Sequence, residues 1–190
     1  MTRTIVALDW VYSHDTEDVT GPDEFYLVGG VSDGGNTAAI LTKPISINDR
    51  QKRQFGDGGG VVFDADVPDD RVLKVAFMAF DEDANHDWSN HGGDVQQLAG
   101  TLATGLKAIP NPYTAAAAVI LPIAVGAIGG IMSLDQDDML GSHSGDYPMW
   151  VVPEEPLVHI ATIEGGGGWW SSWQYTVQYR VLKGKATDTV

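Results

Sequence analysis

The 190-residue chain contains no cysteine. That removes disulfide staples, thiolate metal sites and thiol nucleophiles together. Cations are scarce too: 11 Lys and Arg against 26 Asp and Glu leave a formal net charge of −15. Phosphate backbones are gripped by Lys and Arg, so no nucleic-acid partner is expected. The opening Met1-Thr2-Arg3-Thr4 runs straight into an apolar alternation. It lacks the longer apolar core and small-residue cleavage site of a secretory signal, which leaves the cytoplasm and leaderless export both open. Glutamate is the third scarcity, since 20 of the 26 acids are Asp and 6 are Glu. A solvated helical face favours Glu, whereas loops and hard-cation sites favour the shorter Asp.

What is present is an apolar fraction of 43% with Trp and Tyr, enough for one domain with a real core, spanning residues 1–190. Strand signals recur over residues 5–11, 25–31, 37–42, 61–67, 72–80, 157–163 and 173–181, bounded by Gly, Asp or Pro. In the first, Val6, Leu8 and Trp10 are expected on one face. The last alternates most cleanly, with Trp173, Tyr175, Val177, Tyr179 and Val181 inward and Gln174, Thr176, Gln178 and Arg180 outward. Short strands separated by turns, such as Pro68-Asp69-Asp70, imply a mainly β fold, an antiparallel eight-stranded-type β-sandwich.

Residues 93–134 break the strand pattern. Asp94 is placed to cap a helix in which Val95, Leu98, Leu102, Leu106 and Ile109 recur at helical spacing, and Pro110-Asn111-Pro112 stops it. Ala115 to Leu134 follows without a charge. The expectation is an inserted α-helical hairpin. Twenty uncharged residues meet the length of a membrane span, but Pro122, Gly126, Gly129 and Gly130 make a poor one. The hairpin is therefore open to burial, lipid insertion or self-assembly. Val119, Ile120, Leu121, Ile123, Val125 and Ile128 are its candidate membrane or partner contacts, with Trp169 and Trp170 after the glycine run 165–168.

The acids are clumped. One cluster runs from Asp15 through Glu17 and Asp18 to Asp23 and Glu24, a second from Asp81 through Asp83 to Asp87, and a third holds Asp135, Asp137 and Asp138. Calcium takes six to eight oxygens, and carboxylates gathered without a cation repel one another. An EF-hand loop starting at Asp81 fails, because His86 and Gly92 stand where Gly and a bidentate Glu are needed. The glycine turns at 33–35 and 57–60 lack the nonapeptide repeat of a calcium β-roll. Nor can a hydrolase be read: in Gly141-Ser142-His143-Ser144-Gly145 a His stands where the nucleophile belongs, and His86 and His91 have no completing zinc ligands. No enzyme is expected. The basic run Arg50-Gln51-Lys52-Arg53 reads as a solvated turn or a contact for acidic lipid.

Gly21-Pro22-Asp23-Glu24-Phe25-Tyr26-Leu27-Val28, Phe80-Asp81-Glu82-Asp83 and Asp137-Asp138-Met139-Leu140-Gly141 resemble, in order, three segments of the calcium- and lipid-binding sandwich of the synaptotagmin and protein kinase C type. The chain departs from that pattern in its altered first segment and in the hairpin between the second and third. The resemblance implies Ca2+ as the bound ion. It implies Asp23, Asp81, Asp83 and Asp138 as ligands, Asp15 or Asp18 from the first loop, and Asp87, Asp135 and Asp137 as secondary ones. The implied function is a calcium-controlled module that docks on membrane lipid or a partner. A calcium-stabilised subunit that assembles with identical subunits, and a membrane-inserting toxin-like protein, are the alternatives.

Overall fold

A computed structural model describes residues 1–16, 21–56, 60–81, 97, 100–102, 104–106, 116–131, 138–166 and 172–184. Strand-forming residues dominate these segments, and they build two antiparallel sheets. The strands are β1 (Thr2–Asp15), β2 (Asp23–Ser32), β3 (Thr37–Leu41), β4 (Ile45–Ile47), β5 (Lys52–Gln54), β6 (Gly60–Val67), β7 (Val72–Asp81), β8 (Asp138–Pro148), β9 (Leu157–Gly166) and β10 (Ser172–Gly184). Sheet A has the order β5-β1-β10-β9, with β6 also on β1; sheet B has the order β3-β2-β7-β8, with β4 also on β2. The fold is thus the expected β-sandwich, with two three-residue strands added to the eight longer ones.

The core lies between the sheets. Val6, Leu8 and Val11 from β1 meet Phe25, Leu27 and Val31 from β2, Val75 and Phe77 from β7, and Tyr175, Val177, Tyr179 and Val181 from β10. The alternation of β10 is as expected. That of β1 is not: a bulge between Leu8 and Trp10 inserts one residue and reverses the parity. Val11 therefore points inward, and Trp10 sits on the outer surface under the Lys52 ammonium, 3.9 Å from its ring centroid.

β7 is buried at every position, which a half-solvated strand cannot be. Its second face is covered by the helix α1 (Ala116–Ile131). Tyr26, Val28, Met78 and Phe80 pack against Leu102, Ala124 and Ala127, while Ala76 packs against Leu106, Ala116 and Ile120. Ala116, Ile120, Ala124 and Ala127 recur at helical spacing and define the seated stripe. The start of α1 is pinned by chemistry. The Ala116 N–H donates to the Asp146 carboxylate at 3.1 Å, and Lys74, 1% exposed, reaches the same oxygen from beneath at 3.3 Å.

That pin has a measurable weight. Asp146→Asn should lower unfolding stability by about 1–3 kcal/mol, because it leaves a buried ammonium short of its counter-ion. Lys74→Met added to it should recover part of the loss. Urea denaturation of both variants provides the check, and equal losses would show that the ion pair carries no such weight.

Candidate functional site

One end of the sandwich gathers the acidic strand termini. β1 leaves there at Asp15, β2 enters at Asp23, β7 leaves at Asp81 and β8 enters at Asp138. The registers align them: Asp81 lies opposite Phe25 on one side and Asp138 on the other. Bonds between described residues tie the sheets together at this end. The Tyr175 hydroxyl of β10 donates to the Asp23 carboxylate, and the Trp173 indole N–H donates to the Leu140 carbonyl at 2.7 Å.

Asp23 is fully buried and Asp81 nearly so. The Glu24 N–H donates to the Asp81 carboxylate at 2.7 Å, and Asp81, opposite Phe25, lies two register positions from Asp23 across the β2–β7 pair. Asp15 is exposed and accepts from the Ser172 hydroxyl at 3.1 Å. Asp138 is placed by its backbone register. Asp18, Asp83, Asp87, Asp135, Asp137, Trp169 and Trp170 lie outside the described residues, as does the side chain of Ile128.

Asp49 also belongs to this end and carries no motif in the sequence. It stands in the turn between β4 and β5, where Arg50 takes a positive φ of 58°. It accepts from the Thr16 hydroxyl at 2.7 Å and the Thr16 N–H at 2.8 Å. These two donors, the hydroxyl first, hold its carboxyl below the ordinary 3.8. The pairing of β4 with β2 and of β5 with β1 brings that turn here.

Of the expected helix contacts, Ile120 is buried against the sheet, and Val119, Leu121 and Ile123 are partly buried beside it. Val125 is 53% exposed. Ile120 is thus a core residue where a contact was expected, because it falls on the seated stripe. Among the described residues no helix is long and apolar enough to cross a membrane.

A second cluster lies where β8 and β9 face each other. The His143 imidazole is 2.8 Å from the Tyr179 hydroxyl, which also bonds the Tyr147 hydroxyl. The His159 ring stacks on Tyr179 at 5.3 Å. Its Nε2 is buried and meets no hydrogen-bond partner among the described residues. Burial pushes both imidazoles below the ordinary 6.5, and the neighbouring His159 lowers His143 further. Burial pushes the Tyr147 hydroxyl up.

No protein-family model and no curated protein matches the sequence. Among solved structures, the chain superposes on human GIVD cytosolic phospholipase A2 with TM-score 0.47 and 12% identity, covering 98% of this chain and 17% of that one. The chain therefore spans about a sixth of the phospholipase. A C2 domain of plant extended synaptotagmin 1 matches with TM-score 0.38 and 9% identity, over 98% of this chain and 97% of that one. Another C2 domain matches with TM-score 0.37 and 10% identity, over 96% and 99%. The chain is similar to C2 domains; that it is a β-sandwich rests on its own two sheets.

Two measurements probe these clusters. Tyr175→Phe removes the hydroxyl that bonds Asp23 in the interior and should cost about 1–3 kcal/mol in urea denaturation; a change within error would show that the bond contributes nothing. Stability should also depend on pH through the two histidines. Both are held neutral when folded, so the unfolded chain takes up protons first as the pH falls. Their contribution is complete above pH 6.5 and declines below it towards the depressed folded values. Replacing both by Gln should flatten that part of the melting-temperature profile.

Proposed function

We propose that the chain is a non-enzymatic binding module that takes calcium at its acidic end and thereby controls docking on a membrane or a partner. The observation that carries this reading is the convergence of Asp23, Asp81 and Asp138 from three strands at one end of the sandwich.

The described residues include no group of three or more His, Cys, Asp or Glu side chains able to hold a metal. What they supply is the pair Asp23 and Asp81. Their donor type fits, since hard carboxylate oxygens suit calcium and neither thiolate nor imidazole enters. The chain then leaves Asp81 with Asp83 two residues on, and re-enters at Asp138 directly after Asp137. Those acids are the ligands this reading adds. The buried pair cannot rearrange freely, because Tyr175 and the Glu24 N–H fix the two carboxylates. A bound calcium would supply positive charge among acids that otherwise repel one another.

The sequence between Asp81 and Asp138 contains α1, so the acids on either side of it bracket the helix. Ion binding at the bracket is how this module would alter the presentation of Val125 and the apolar surface around it.

Calcium should raise the melting temperature. A ligand that binds only the folded state, at about 100 times its dissociation constant, adds roughly 2.7 kcal/mol. Asp83→Asn with Asp137→Asn should abolish that increment while leaving the calcium-free melt close to that of the parent. Co-sedimentation with liposomes that requires calcium would support the docking half. No thermal response to calcium in the parent chain would sink the reading.

A further inference from the structure

A sheet edge presents backbone N–H and C=O groups that can pair with another strand, and proteins guard their edges with short strands, charges, glycine, proline or bulges. Guards are visible on four of the edge strands here. β5 is three residues long and carries Lys52 and Arg53. β6 carries the exposed acids Asp64 and Asp66, and β3 is five residues long. β8 contains Gly145 and ends on Pro148, and its ladder shifts register beside Gly141.

β9 carries guards only at its end, in Glu164, Gly165 and Gly166. From Leu157 to Ile163 it contains no Asp, Glu, Lys, Arg, Gly or Pro. Among the described residues it pairs with β10 alone. Its outward side chains Val158 and Ile160 are 51% and 54% exposed, although charge is plentiful elsewhere on the chain. An exposed apolar edge on a protein with a net charge of −15 is where two copies can approach with least repulsion.

We propose that β9 is the pairing edge for a second copy of this chain, the two strands running antiparallel about a two-fold axis at Ile160 and joining two copies of sheet A into one. This register is self-complementary. Ile160 faces its own counterpart, Val158 faces Thr162, and Leu157 faces Ile163. From Val158 to Thr162 the outer row is then β-branched, the side-chain type that packs best across antiparallel strands. Glu164 falls opposite Pro156 and Glu155 opposite Gly165, so no acid lies directly against another. A patch that matches itself in this way gives a closed two-fold dimer. It uses none of the residues assigned to calcium and stands independently of that assignment.

The absence of cysteine allows a register-specific test on the full chain. Paired antiparallel residues hold their Cα atoms about 4.5–5.5 Å apart, inside the roughly 4.4–6.8 Å window of a disulfide. Ile160→Cys should therefore form a covalent dimer under mild oxidation at least tenfold faster than Thr162→Cys or, on another edge, Val61→Cys. The parent chain should show a concentration-dependent dimer by sedimentation. Val158→Lys, at an exposed position, should weaken that dimer at least tenfold while leaving the melting temperature unchanged at concentrations where the parent is monomeric. A parent chain that stays monomeric from micromolar to millimolar concentration overturns the proposal. So does crosslinking of the Ile160→Cys variant no faster than that of the Thr162→Cys or Val61→Cys variant, or a dimer that Val158→Lys leaves intact.

Discussion

Sheet B can exist in its observed form only if both of its faces are kept from water. β2 and β7 present apolar side chains in both directions, with Phe25, Leu27, Val75 and Phe77 towards sheet A and Tyr26, Val28, Met78 and Phe80 away from it. Sheet A covers the first set. Burial of the second stabilises the fold by about 25 cal/mol for each Å² removed from water, and it is achieved by α1 together with Leu102 and Leu106. The apolar insertion therefore has a structural role before any functional one. Gly30 shows how closely the parts fit, since a Cβ there would meet the Leu106 side chain at 2.5 Å.

The same requirement shapes the polar groups. Lys74 lies on the face that the helix covers, and a buried ammonium is tolerated only beside a partner. Asp146 serves as that partner and also accepts the first N–H of α1, so one carboxylate answers two buried needs. At the acidic end, Asp23 is a carboxylate in the interior that bonds across to the opposite sheet through Tyr175. A residue whose type suggests an exposed ligand is thus also an internal strut. Its burial and its bond to Tyr175 hold that carboxylate in one orientation.

Charge is distributed against this background with evident asymmetry. Acids crowd the strand ends and reinforce β6, while β9 keeps an uncharged run with two exposed aliphatic side chains. On a chain so strongly acidic, such a strip is a specific local exception, and self-repulsion elsewhere on the surface limits how copies can meet.

The mainly β class was legible in the sequence, because alternation in 157–163 and 173–181 reports directly which side chains face water. The inserted helical region was legible too, from the lost alternation and the uncharged run. The acidic termini Asp15, Asp23, Asp81 and Asp138 could be singled out from their clustering at strand ends. Trp10 could not be placed, since a single bulged residue reverses parity and leaves no mark in the pattern. Asp49 was invisible, because its place depends on two three-residue strands pairing far from it in sequence. Nor could Ile120 be told from Val125: both are aliphatic residues in an uncharged helix, and only the side that meets the sheet separates them. Periodicity and composition are local properties and so determined the element types. Which acids reach one end of the sandwich, which helix face is buried and which edge is left unpaired among the described residues depend on long-range pairing, and only the tertiary structure decided them.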